Sequence, residues 1–101
     1  MLESAYEYAL LKEFELRNII AHNQVQVKLF YKWYDTGKYY AIDILVENEI
    51  VIEIKCSDII APVYIAQIIS YLKLSQKKLG FLVNFHVPLI KDGIKRFVNN
   101  F

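Results

Sequence analysis

Leu2, Tyr6, Ala9, Leu10 and Phe14 recur at helical spacing, so the chain opens on an amphipathic helix from Leu2 to about Arg17. Glu3 lies in its first turn, where the positive end of the helix dipole favours an acid. After a connection over residues 18–23, Val25, Val27, Leu29 and Tyr31 alternate with Gln26, Lys28, Phe30 and Lys32, a strand pattern from Gln24 to Tyr34. Asp35-Thr36-Gly37-Lys38 supplies turn chemistry and predicts a second strand from Tyr39 to Val46. Glu47-Asn48-Glu49 makes a short polar turn, and Ile50 to Lys55 reads as a third strand rich in β-branched residues.

Pro62 fits the first position of a helix that continues to about Gln76 with apolar residues on most sides, so this helix is expected to be mostly covered. Phe81-Leu82-Val83, just after Gly80, is a short apolar run of the kind that forms an interior strand. A right-handed crossover places it parallel to the third strand. Pro88 breaks the chain, and Ile90 to Val98 reads as a closing helix with Lys91, Lys95 and Arg96 on its polar side. The pattern therefore predicts a mixed α/β fold, with a four-stranded mixed sheet flanked by helices in the order α-β-β-β-α-β-α. A length of 101 residues suits one core, so one domain is expected over residues 1–101.

Composition narrows the classes. The longest uncharged stretch runs from Ile59 to Leu72 and falls short of the roughly 20 apolar residues a membrane span needs. Glu3 and Glu7 stand where an export signal would carry bases, so no membrane role and a cytoplasmic location are expected. Cys56 is the single cysteine, which excludes an internal disulfide and a cysteine-rich zinc site; it is expected to pack as a small apolar residue. The net charge of +1 is low for a nucleic-acid binder, but its distribution is uneven. Residues 1–60 hold ten acids against six bases, whereas from 61 onward only Asp92 opposes Lys73, Lys77, Lys78, Lys91, Lys95 and Arg96. An acidic part suits a cation and a basic part suits phosphates, although ordinary solvated faces would look the same.

The turn at Glu47-Asn48-Glu49 gives a geometric test. A hairpin centred on Asn48 sets Asp43 opposite Glu53 and Ala41 opposite Lys55. Directly opposed residues share a sheet face, and alternation puts Glu53 and Lys55 on that face too. Three charges then converge, while Ile42, Ile44, Ile52 and Ile54 turn to the other face. Two adjoining carboxylates in a partly buried cleft repel, and Lys55 neutralises only one of them. A hard divalent cation, Mg2+ or Mn2+, resolves the conflict with Asp43, Glu53 and the Ile54 carbonyl as ligands. Lys55 is then placed to orient an attacking water or to stabilise developing negative charge. The plainer alternative is a surface carboxylate pair balanced by Lys55 without a metal. An acid-x-Lys triplet alone occurs about once by chance at this composition, and it is the opposed second acid that gives it weight.

An acid, a hairpin and Glu-x-Lys on the next strand resemble the PD-(D/E)XK nuclease superfamily. The motifs Leu2-Glu3-Ser4-Ala5-Tyr6 with Ala9-Leu10, Asp43-Ile44-Leu45-Val46, Glu53-Ile54-Lys55, Gln67 with Tyr71-Leu72, Asn84-Phe85 and Lys91-Asp92-Gly93-Ile94-Lys95-Arg96-Phe97 are together similar to the GxxExxY protein family. The resemblance implies a restriction-endonuclease-like core and a metal-dependent phosphodiesterase site. It further implies that Glu3 points toward the metal or a second metal, and that Gln67 and Tyr71 position the site or substrate. Lys95 and Arg96 are candidate phosphate contacts, against the plainer reading of a solvated basic face. Two departures stand out: the family's leading glycine and first helix are missing ahead of Leu2, and Ala41 occupies a position where the family commonly has arginine.

Other features carry less. His22 and His86 lack ligand spacing and read as structural or surface residues. Tyr31, Trp33, Tyr34, Tyr39 and Tyr40 flank a hairpin and read as core or homodimer packing in preference to base stacking. The leading functional expectation is metal-dependent hydrolysis of nucleic acid, DNA before RNA. The alternative is a catalytically inactive nucleic-acid- or protein-binding module on the same fold.

Overall fold

The computed structural model describes residues 2–99. Its elements follow as α1 (Leu2–Leu16), β1 (Ala21–Tyr31), β2 (Tyr34–Val46), β3 (Ile50–Lys55), α2 (Pro62–Ser75), β4 (Leu79–Asn84), a 3-10 turn (Ile90–Gly93) and β5 (Ile94–Val98). The strands form one sheet in the order β1-β2-β3-β4-β5. Neighbours are antiparallel except β3 and β4, which α2 joins as a parallel pair. The mixed α/β class and the parallel crossover match the sequence pattern.

Each helix covers one face of the sheet. Tyr6, Leu10, Leu11 and Phe14 of α1 pack on a cluster of Ile44, Val46, Ile52, Ile54 and Val83. On the other face Leu72 of α2 joins Ile42, Leu45 and Val51. Only Ile68 and Leu72 of α2 are buried, while Val63 and Leu74 are exposed. This helix is thus covered along one stripe and not on most sides, because among the described residues no element lies outside it. No helix among the described residues is long and apolar enough to cross a membrane.

Two elements differ from expectation. Residues 94–98 form a fifth strand, not the end of a closing helix, and they pair with β4 from Val83↔Ile94 to Leu79↔Val98. Without β5, the apolar Phe81-Leu82-Val83 run would leave a row of unpaired backbone groups on its outer side. Satisfying that edge outweighs the helical reading of a short segment whose apolar residues fit either period. The chain reaches the edge by a tight passage at Gly93, where an added Cβ would lie 2.1 Å from the Asn84 carbonyl oxygen.

The first hairpin also turns earlier than expected. Tyr31 pairs with Tyr34, so Lys32 and Trp33 make the turn, with Lys32 at a φ of 55°. The Asp35–Lys38 segment lies inside β2, where the register moves between Leu29↔Lys38 and Phe30↔Asp35 and leaves Thr36 and Gly37 as a bulge. Its turn chemistry is present but local. The Gly37 N–H donates to Asp35 Oδ1 (2.9 Å), and Thr36 Oγ1 donates to the Leu29 carbonyl (2.6 Å).

Gly93→Ala is expected to destabilise the fold by roughly 1–3 kcal/mol, because its Cβ would meet rigid backbone. Gly80→Ala should cost less, since its Cβ meets the movable ends of Leu72 and Ile68 at 3.1–3.3 Å. Urea midpoints of the two variants check this, and an equal or reversed order would contradict it.

Candidate active site

The β2–β3 ladder runs from Val46↔Ile50 to Ile44↔Ile52, the register of a hairpin centred on Asn48. Beyond Ile44 the strands part. The β1–β2 ladder also skips the Gln24–Asp43 position, where Gln24 takes a φ of 50°. This irregularity switches the sides of β2: Ile44 faces α1, whereas Ile42 packs with Leu72 on the α2 side. Ile42 therefore leaves the set it was expected to share with Ile44, Ile52 and Ile54. The switch frees Asp43 from regular alternation and lets its carboxylate reach into the gap between strands.

There the Ile54 N–H donates to Asp43 Oδ2 (2.8 Å) and Gln24 Nε2 donates to Asp43 Oδ1 (3.4 Å). The Asp43 N–H lies 3.5 Å from Glu53 Oε1, at the long limit of a hydrogen bond. The two acids thus meet across the end of the ladder. Since N–H and C=O of one strand residue leave from the same edge, the Ile54 carbonyl also faces this gap.

Glu53 is buried, 4% exposed. Burial, then the charge of Asp43, then a hydrogen bond with the Asp43 carboxyl push its pKa up to about 9. The Asp43 N–H and, least of all, the Lys55 ammonium oppose that rise. Lys55 does share the Glu53 face, but its ammonium sits 4.5 Å over the ring of Tyr64 on α2. Its charge is the smallest of the influences on Glu53, which leaves the pair short of positive charge.

Gln67 and Tyr71 close the α2 side. Gln67 Nε2 donates to Tyr71 Oη (2.7 Å), and the Tyr71 ring stacks on Tyr40 with centroids 4.0 Å apart. The Tyr40 hydroxyl donates to the Tyr71 carbonyl (2.9 Å). Burial raises the pKa of Tyr71, and the charges of Glu53 and Asp43 add to it, which places this phenol beside the acids. Tyr40, expected only as core or dimer packing, is a site neighbour that the β2 alternation with Ile42 leaves hard to single out.

On the α1 side a hollow of about 390 Å³ is lined by Glu3, Glu7, Asn23, Gln24, Asp43 and Ile54, among others. Glu3 Oε2 accepts from the Cys56 N–H (3.1 Å), which ties the first helix to the end of β3. Glu7 is buried and accepts from Asn23 Nδ2 (3.0 Å) and Gln24 Nε2 (2.9 Å). Glu7 belongs to none of the motifs that mark the site in the sequence. Its spacing of four from Glu3 on an otherwise apolar helix face was the available signal.

Below Lys55, Asn84 is buried in register with it. Asn84 Oδ1 accepts from the Ser57 and His86 N–H groups (3.2 and 3.1 Å), and its Nδ2 donates to the Ser57 carbonyl (2.9 Å). The loop leaving Lys55 is clamped to the end of β4. His86 Nε2 is 2.6 Å from Asp58 Oδ1 at the surface, and His22 is exposed. Lys95 and Arg96 are exposed on β5 instead of on a helix, opposite Leu82 and Phe81. Strand alternation sends them to opposite faces, so they do not form one basic face.

Among the described residues no three His, Cys, Asp or Glu side chains group as a ready metal cage. The donor set at the gap is two carboxylates and a backbone carbonyl, all hard oxygens. That suits an ion such as magnesium, which takes one or two carboxylates and completes its shell with water and phosphate.

A hairpin that parts at an acid, with Glu-x-Lys on the next strand and an α-β crossover behind it, is the core arrangement of a nuclease class. The chain belongs to the PD-(D/E)XK nuclease superfamily, whose family model matches residues 1–97. Among solved structures it is similar to an alkaline exonuclease from Laribacter hongkongensis, with a TM-score of 0.64, 17% identity and 96% of this chain covered. It is also similar to SSO0001, with a TM-score of 0.61, 26% identity and 98% of this chain covered. The matches take in 56% and 50% of those two chains, so this chain spans about half their length. A search of curated proteins found no match.

In metal-free protein Glu53 holds a proton that the unfolded chain releases at an ordinary value near 4.5. With the folded pKa the higher one, stability is full below about 4.5 and falls as pH rises toward about 9. Urea midpoints taken in chelator from pH 5 to 9 should decline, and Glu53→Gln should flatten that decline. An identical slope in the variant would show that Glu53 is not the group responsible.

Proposed function

We propose that this chain is a metal-dependent nuclease that hydrolyses phosphodiester bonds in nucleic acid, with DNA as its main substrate. One observation carries the reading: Asp43 and Glu53 meet where β2 and β3 part, with Glu53 buried and a like charge beside it. In this reading Asp43, Glu53 and the Ile54 carbonyl hold Mg2+ or Mn2+. When bound, the ion supplies a more acidic water and stabilisation of charge on phosphate oxygens.

The protein's own groups do the rest. The Ile54 N–H holds Asp43 Oδ2, and Oδ1, which accepts a long hydrogen bond from Gln24 Nε2 (3.4 Å), is left to face the gap. Tyr64 parks the Lys55 ammonium on the Glu53 face, where it can meet a phosphate oxygen or orient a water. Gln67 and Tyr71 fix the outer wall of Glu53 and restrict its carboxyl to the gap. Glu3 and Glu7 line the α1 side, where they can order water next to Asp43. The whole of residues 1–101 is taken as one catalytic domain of the GxxExxY type, with Ala41 weakening its grip on substrate without removing a ligand. Lys95 and Arg96 contribute separate phosphate contacts on the two sides of β5.

Purified protein with labelled DNA and Mg2+ or Mn2+ should show cleavage that chelator abolishes. Asp43→Asn and Lys55→Ala should each lower the rate by roughly 10²–10³-fold, the scale for removing one preorganised electrostatic group. Calorimetry should detect divalent-ion uptake by the parent and a loss of it in Asp43→Asn. Binding of DNA with neither cleavage nor ion uptake would leave a binding module and end the nuclease reading.

A further inference from the structure

The β1–β2 hairpin projects past both cores. Phe30, Tyr31, Trp33, Tyr34 and Tyr39 around its tip are all exposed, and Trp33 is 80% exposed. Core packing, expected for this aromatic group from the sequence, applies only to Tyr40. Leaving five large rings in water is costly to a fold unless something covers them. The same segment carries Lys28, Lys32 and Lys38 against a single acid, Asp35, which is already engaged by Lys28 at 3.4 Å and by the Gly37 N–H. Trp33 and Tyr34 lie with rings 6.2 Å apart and inclined by 24°, and Lys32 sits 5.7 Å over Tyr31.

Flat rings alternating with cations match one kind of occupant well. Unpaired bases stack on aromatic faces, and the phosphates between them meet lysines. A second copy of this chain fits worse, because a two-fold contact would set a patch of three lysines and one aspartate against itself. The bulge at Thr36 and Gly37 lies between the tip and the site, so the tip is set at its own angle to the main sheet.

We propose that the tip of the β1–β2 hairpin is a binding arm for an unpaired nucleic-acid strand, with Trp33, Tyr31 and Tyr34 stacking on bases and Lys28, Lys32 and Lys38 meeting phosphates. The proposal deepens the nuclease reading and rests on it only for the identity of the substrate as nucleic acid. Along β1, which carries no extra residues, the tip at Lys32 stands eight residues from Gln24, the position beside Asp43, about 27 Å at 3.4 Å per residue. At a stacked rise of 3.4 Å, that is roughly eight nucleotides. The arm therefore grips a strand well away from the bond to be cut, and short oligonucleotides gain nothing from it.

Trp33 is the single tryptophan, so its emission reports the arm directly. The full chain is titrated in chelator, where no cleavage interferes, with a 15-nucleotide single-stranded deoxythymidylate, the corresponding ribo-oligonucleotide and a duplex of equal length. Saturable quenching by the single strands is expected, with the duplex binding more weakly. By anisotropy of labelled single strand, Trp33→Ala should weaken binding about 5- to 150-fold, the range for one stacked base, and Trp33→Phe should retain most of it. Three lysine contacts give a log–log salt slope of about −2 on single strands. Trp33 is exposed, so both variants should fold with the parent's circular dichroism.

Unchanged Trp33 emission with every single strand would overturn the arm while leaving cleavage, measured separately, to judge the site. Quenching in a protein that never cleaves would sustain the arm and remove the nuclease reading. Preference for the duplex overturns the proposal. So does a concentration-dependent blue shift of Trp33 with dimer formation in the absence of nucleic acid, which would name a second copy as the occupant.

Discussion

A carboxyl group held out of water beside another carboxyl is the constraint around which this molecule is arranged. Glu53 sits in the middle strand of the sheet with Asp43 against it, and neither the Asp43 N–H nor Lys55 supplies enough to keep it ionised. Such a pair is expensive to build, since desolvation and like charge act in the same direction. The surrounding structure holds it regardless. The Ile54 N–H fixes Asp43, the Tyr40–Tyr71 stack seals the far side, and two apolar clusters press the sheet from both faces. A fold seeking stability alone would place a leucine at position 53.

The irregularity at Gln24 and Asp43 makes the arrangement possible. Regular alternation would bind Asp43 to one face and close the ladder over it. By skipping one pair, the sheet keeps Ile42 and Ile44 buried on opposite sides while opening a slot between β2 and β3. The backbone groups exposed in that slot are answered by side chains, as the Asp43–Ile54 contact shows.

The hairpin register was legible because the polar turn centred on Asn48 sets Ile44↔Ile52 and a two-sided sheet penalises any one-residue slip from it. The direct opposition of Asp43 to Glu53 and of Ala41 to Lys55 that it implied does not form, because the ladder ends at Ile44↔Ile52; the acids approach instead through the Asp43 N–H, 3.5 Å from Glu53 Oε1. The break at Gln24 was not legible, since nothing in a glutamine announces a positive φ. β5 was missed because five residues with Ile94, Phe97 and Val98 suit a helix or a strand, and the deciding factor is the unpaired edge of β4, a tertiary demand. The first turn was misplaced because Asp35-Thr36-Gly37 has true turn chemistry that the fold spends on a bulge. Glu7 escaped because its partners Asn23 and Gln24 come from a different element.

Asn84 shows how far the centre extends beyond the groups that meet substrate. One buried amide fixes both the chain leaving Lys55 and the chain entering the last connection, through three contacts that no neighbour duplicates in kind. Loss of that amide would loosen the strand end that carries Lys55, although Asn84 is not itself one of the charged groups of the site. A residue with no charge of its own therefore governs where a charged one is seated, through the backbone they share.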